Sequence, residues 1–116
     1  EIAAVYRGEA QNRVGMFTDI LSGYGKADGL MTAVRVMSPQ YIICDEIGGE
    51  DECRSIEMSA NSGVKFIAAV HAADKSELLL RPQIKKLIKK GIFTRAAFLE
   101  KCTIKSITDI TERDLK

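Results

Sequence analysis

The apolar run Tyr41-Ile42-Ile43-Cys44 ends abruptly in two acids, Asp45-Glu46, and then in Ile47-Gly48-Gly49. A second apolar run, Val64 to Val70, ends in His71, the only histidine of the chain. An acidic pair at the end of a buried strand has a definite use in nucleotide hydrolysis. The aspartate holds Mg²⁺, usually through its waters, because this hard cation takes oxygen ligands. The glutamate orients and deprotonates the attacking water. Strand alternation turns neighbouring side chains in different directions, so Asp45 and Glu46 can take separate jobs. Taken alone, the pair reads equally well as the solvated end of a strand, and a lone histidine is more often a satisfied polar residue than a catalytic one. Adjacent parallel strands change that balance. They bring Asp45, Glu46 and His71 to one edge, the edge at which open parallel sheets bind ligands. His71 would there sense a γ-phosphate or orient the attacking water.

The elements that must position these groups follow from apolar spacing. Leu30, Met31, Val34 and Met37 recur at helical steps after Asp28, an expected N-cap. Pro39 blocks continuation and pushes Ser38 towards an extended conformation. Residues 40–46 then read as a strand buried on both faces, because the run is continuous and β-branched. A second helix is predicted from Glu50, whose first turn carries Glu50, Asp51 and Glu52, with Gly63 as its stop. Residues 64–71 form a second buried strand. A third helix opens at Ser76-Glu77 and a fourth at Pro82, with Ile84, Leu87 and Ile88 as its stripe and Gly91 as its stop. Residues 95–110 read as a hairpin turning near Cys102-Thr103, and residues 9–25 as a long loop with one turn around Thr18 to Leu21. This order predicts one α/β domain over residues 1–116, a mainly parallel sheet with flanking helices and a C-terminal β-hairpin.

Composition narrows the class further. Apolar residues make up 46% of the 116, too many for a disordered chain. Seventeen basic residues oppose sixteen acidic ones, a balance that argues against a polyanion binder. The lysines at 85, 86, 89 and 90 share one helix without aromatic companions and read as its solvated face, so neither nucleic acid nor anionic lipid is expected there. Three cysteines without a C-x-x-C spacing fit buried thiols in a reducing cytoplasm, and a single histidine argues against a structural zinc site. No apolar run approaches the roughly 20 residues of a membrane-spanning helix. The phosphate-binding pattern G-x-x-x-x-G-K-[ST] does not occur. Gly25-Lys26 only imitates it, because Ala27 follows and position 20 is Ile. Without that cradle of amides and lysine, ATP lacks its main anchor.

The stretch from Gly29 to Gly48, with Ser38-Pro39-Gln40 before the strand and Asp45-Glu46-Ile47-Gly48 after it, resembles the Walker B region of the stage III sporulation protein AA family. That family is related to the type II/IV secretion ATPases. Glu1-Ile2-Ala3, Gln11-Asn12 through Thr18-Asp19, Ala69-Val70-His71-Ala72, Arg81-Pro82 and Phe93 to Leu99 also resemble it, so the likeness covers nearly the whole chain. Ala69 departs from the threonine common there, which removes a hydroxyl from the edge. The resemblance implies the C-terminal part of a RecA-like P-loop ATPase domain, with the phosphate loop upstream of Glu1. It carries Asp45 over as the Mg²⁺-holding residue and Glu46 and His71 as the catalytic pair. Arg7 and Arg35 are further candidates for contact with ATP: Arg7 for phosphate or a neighbouring subunit, Arg35 from the helix before the strand. It also implies ATP and Mg²⁺ as cofactors, a homo-hexamer, other sporulation channel proteins as partners, and a place in the mother-cell cytoplasm, peripheral to the membrane through those partners. There it would energise a secretion-like channel facing the forespore, this chain being inactive by itself.

A non-catalytic module of the same fold, acting in assembly of such a complex, is the alternative. The missing phosphate-loop strand carries one more expectation, because it would flank the strand of His71. Residues 95–110 are expected to close directly onto residues 64–71, with a second molecule filling the gap at high concentration.

Overall fold

The structure is a computed structural model that describes residues 2–115. Glu1, at the head of the Glu1-Ile2-Ala3 resemblance, lies outside the described residues. The chain opens with two short antiparallel strands, β1 (Val5–Tyr6) and β2 (Glu9–Ala10), turned at Arg7-Gly8. Residues 11–25 carry no helix or strand. Their turn sits at Met16-Phe17, not at Thr18 to Leu21, and Thr18 Oγ1 donates to the Val14 carbonyl at 2.7 Å.

Helix α1 (Lys26–Thr32) begins after Gly25, two residues before the expected cap at Asp28, which instead lies in its first turn. It widens into a π-helical turn, Ala33–Met37, and stops at Ser38. Ser38 is left-handed, with φ 46° and ψ 54°, and not extended. Both conformations avoid the right-handed helical region that Pro39 denies to its neighbour. Strand β3 (Tyr41–Glu46), helix α2 (Glu50–Asn61) and strand β4 (Lys65–Ala69) form a parallel βαβ unit. Glu52 Oε2 accepts from the amides of Gly48 at 3.0 Å and Gly49 at 3.2 Å, which fixes the start of α2. Gly63, at φ 87°, follows its end.

Helix α3 (Lys75–Leu80) is capped by Asp74, one turn's start earlier than Ser76 suggested. Asp74 Oδ1 accepts from the Glu77 amide at 2.9 Å and Glu77 Oε2 from the Ala73 amide at 2.7 Å. Helix α4 (Pro82–Lys89) starts on its proline as predicted. Strands β5 (Arg95–Glu100) and β6 (Thr103–Asp109) make the hairpin, turning at Lys101-Cys102, and a 3₁₀ turn covers Glu112–Leu115. Cys44 is half-buried and Cys53 buried, but Cys102 is exposed at this turn, so the three thiols are not all in the core.

The core joins Leu30, Ile47, Cys53, Ile56, Leu78, Ile84, Leu87, Ile88 and Ile110, with Ile42, Cys44, Phe66, Ala68 and Phe98 packed against it. Ile56 and Leu87 are fully buried. Only one face of the β3–β4 pair takes part. On the other face Tyr41, Ile43 and Ile67 are 55%, 57% and 55% exposed. The two strands are therefore not buried on both sides, because the packed helices lie against a single face. Nor is the sheet mainly parallel: among the described residues each of the three sheets has two strands, and only β3–β4 is parallel.

The hairpin does not close onto β4, whose only strand partner among the described residues is β3. It docks instead through side chains. Ala96 and Phe98 face the core, Ile110 is buried, and Lys75 Nζ reaches the Asp109 carbonyl at 3.2 Å and Asp114 Oδ1 at 2.8 Å. The lysine face of α4 is partly neutralised within the fold, since Lys86 (3.2 Å) and Lys90 both pair with Glu57 of α2.

One-sided burial gives a direct stability contrast. Ile56→Ala is expected to cost about 2–5 kcal/mol, and Ile43→Ala or Ile67→Ala about 0.5 kcal/mol or less. Denaturant unfolding of the three variants measures it.

Candidate functional site

The parallel register of β3 and β4 runs Tyr41↔Lys65, Ile43↔Ile67 and Cys44↔Ala68, and then slips so that Glu46 partners Ala69. Asp45 is the extra residue at this slip, and a bulge re-aims the side chains around it. The two carboxylates diverge as strand alternation suggested, each to its own partner. Asp45 Oδ1 lies 2.7 Å from Lys26 Nζ. Glu46 Oε2 lies 3.4 Å from His71 Nε2. His71 stands two residues beyond β4, past Val70, with its side chain 85% exposed. The carboxyl ends of the two strands thus bring Asp45, Glu46 and His71 to one edge.

Lys26 is the member that sequence reasoning missed. It looked like an imitation of the phosphate-loop lysine, yet its amine bonds Asp45, donates to the Glu46 carbonyl, and lies 3.9 Å from Glu52 Oε1. A signal was present. Lysine as the first residue of a helix opposes the helix dipole, so its placement calls for an acidic partner.

The hydrogen bond from Lys26 holds the Asp45 carboxyl below the usual aspartate range. The same bond raises the Lys26 amine above its usual range, against the opposing effect of burial. Burial pushes the Cys44 thiol up to about 11, although Lys26 pulls the other way, so Cys44 is no thiolate nucleophile at neutral pH. Glu46 and His71 form a different kind of contact. Both are more than half exposed, and such pairs contribute little to stability.

The two arginines do not join this group. Arg7 sits in the β1–β2 turn with its guanidinium 5.3 Å from the centre of the Tyr6 ring. Arg35 is exposed on the π-helical turn. No ion pair links either to Asp45 or Glu46 among the described residues.

Among the described residues no cluster of three or more His, Cys, Asp or Glu side chains is arranged to hold a metal ion. Mg²⁺ does not require such a cluster, since it takes one or two carboxylates and fills its remaining positions with water and phosphate. Asp45, partly exposed at the strand end, is a donor of that kind. No helix of the described residues is long and apolar enough to cross a membrane.

Fold and edge together define a mixed α/β protein with an acidic, histidine-flanked carboxyl edge on a parallel strand pair. The family described as "Sporulation stage III, protein AA" matches residues 1–113, and the chain belongs to that family. It is 37% identical over 95 residues to the Stage III sporulation protein AA of Bacillus subtilis (strain 168). The match covers 82% of this chain and 31% of that protein, so the chain spans about a third of this curated relative. No solved structure matches the chain.

The Lys26–Asp45 pair has a defined pH window. Asp45 titrates below its unfolded range, so its contribution is complete above the ordinary aspartate range and is lost as pH falls through the lowered value. Lys26 titrates above its unfolded range, so its contribution is complete below the ordinary lysine range and is lost as pH rises through the raised value. NMR titration of the Asp45 carboxyl is expected to give a midpoint below that of a free aspartate. Lys26→Met should move it upward, and an unchanged midpoint would contradict the pairing.

Proposed function

We propose that this chain is the Walker B portion of a RecA-like P-loop ATPase domain that works in sporulation. The observation that carries the reading is the meeting of Asp45, Glu46 and His71 at the carboxyl ends of two adjacent parallel strands. In this reading Asp45 would hold the Mg²⁺ that accompanies ATP, as a carboxylate donor to a hard cation. When bound, the ion neutralises charge on the β- and γ-phosphates. Glu46 accepts the proton of the attacking water. His71, 3.4 Å from Glu46, orients that carboxylate or faces the γ-phosphate. The amides that cradle phosphate come from outside these 116 residues, which contain no phosphate-loop pattern. Arg7 and Arg35 would take part only if a neighbouring subunit or bound nucleotide brings them to the site.

The whole protein, in this proposal, is a homo-hexameric ATPase on the mother-cell side. It sits peripheral to the membrane through other sporulation channel proteins and energises a secretion-like channel towards the forespore. One observation favours a second reading, a non-catalytic assembly module: the uncovered apolar face of Tyr41, Ile43 and Ile67 is suited to a protein partner.

Two measurements separate these readings. Titration calorimetry of the chain alone should give MgATP binding weaker than micromolar, and micromolar binding would contradict the missing phosphate cradle. In the complete protein, Glu46→Gln should keep nucleotide binding and lower hydrolysis by roughly 10²–10⁴-fold, the range for loss of a general base. Hydrolysis at the parental rate refutes the role of Glu46, and an inactive parent supports the assembly module.

A further inference from the structure

Among the described residues the hydrogen-bond and ion-pair partners of the Lys26 amine are oxygen atoms: the Asp45 carboxylate at 2.7 Å, the Glu46 carbonyl, and the Glu52 carboxylate at 3.9 Å. Carboxylate and carbonyl oxygens are also the ligands that a hard divalent cation takes. We propose that Lys26 is a tethered counter-ion standing in for a divalent cation at the end of β3, and that the cation must displace it from Asp45 in order to bind. This rests on reading Asp45 as the Mg²⁺-holding carboxylate and adds a residue that sets the affinity of that site.

Stability alone does not account for the arrangement. The side chains of Lys26 and Asp45 are 27% and 37% exposed, and pairs so exposed stabilise a fold little. As the first residue of α1, Lys26 also sits at the helix end where a positive charge is disfavoured. The local chain is able to release it. Lys26 follows residues 11–25, which have neither helix nor strand, and its flexible four-carbon stem lets the amine swing out while α1 stays packed through Leu30. The amine therefore neutralises the acidic edge when no cation is present and competes with the cation for the same carboxylate.

The test uses Mn²⁺ as the probe, read by electron paramagnetic resonance on the chain and its Lys26→Met, Asp45→Asn and doubly substituted forms. Lys26→Met is expected to bind Mn²⁺ roughly tenfold more tightly than the parent, as removal of one unit charge a few ångströms from the ion requires. Asp45→Asn should abolish that gain in the double variant. Equal or weaker binding by Lys26→Met overturns the inference while leaving Asp45 as a ligand, provided Asp45→Asn still loses Mn²⁺. Binding that survives Asp45→Asn unchanged overturns both the inference and the reading of Asp45. Absence of Mn²⁺ binding in every form also overturns the inference. Should Lys26→Met fail to fold, the unaltered chain decides by NMR. Saturating Mg²⁺ should move the Lys26 side-chain signals to those of a free lysine, and signals that stay in place overturn the proposal.

Discussion

The packing of α2 between the β3–β4 pair and α4 is the constraint on which the rest of this structure depends. Ile56 of α2 and Leu87 of α4 are the most completely buried large side chains of the two helices, and both strands send alternate residues into the same cluster. A parallel pair cannot be joined by a tight turn; it needs a crossover, and the crossover must bury its apolar stripe somewhere. Here it buries that stripe on the inner face of the strands it connects. The parallel register then follows, and with it the meeting of the two carboxyl ends. The slip at Asp45 is tolerated because Ile47, just beyond it, donates its amide to the Ala69 carbonyl at 3.0 Å and is itself buried.

One cation links the charged groups of this edge. Lys26 binds Asp45 and the Glu46 carbonyl and lies near Glu52, while Glu52 accepts from the amides of Gly48 and Gly49. The start of α1, the end of β3 and the start of α2 are thereby linked through charge-assisted contacts. The Glu46 side chain is not part of that network, and its ion-pair partner among the described residues is His71. The aspartate is held ionised and oriented, while the glutamate is exposed at the open edge. That division suits an ion-holding residue beside a residue that handles a proton.

Much of this was legible in the sequence, for identifiable reasons. Strand β3, helix α2 and helix α4 were marked by strong local signals: a continuous apolar run, three acids in a first turn, and a proline at a first helical position. The convergence of Asp45, Glu46 and His71 followed from parallel pairing alone. What was not legible depended on tertiary surroundings. The alternation of Tyr41 and Ile43 outward against Ile42 and Cys44 inward is invisible in a uniformly apolar run, because one-sided cover is a property of the layers and not of the strand. The hairpin's failure to pair with β4 likewise reflects side-chain docking of Ala96, Phe98 and Ile110, which no local signal encodes. The pairing of Lys26 is masked in the sequence by Gly25, which imitates a phosphate loop, although a positive charge at the start of a helix is unfavourable.

The proposed ATPase role requires that Mg²⁺ and nucleotide meet this protein at the carboxyl edge of β3 and β4. A crystal structure of the full-length family member containing this sequence, with Mg²⁺ and a non-hydrolysable ATP analogue, tests it most directly. The expected result is the ion against the Asp45 carboxylate, Lys26 withdrawn from it, and Glu46 and His71 facing the γ-phosphate. Nucleotide bound away from this edge, or Mg²⁺ coordinated elsewhere while Lys26 still holds Asp45, would contradict it.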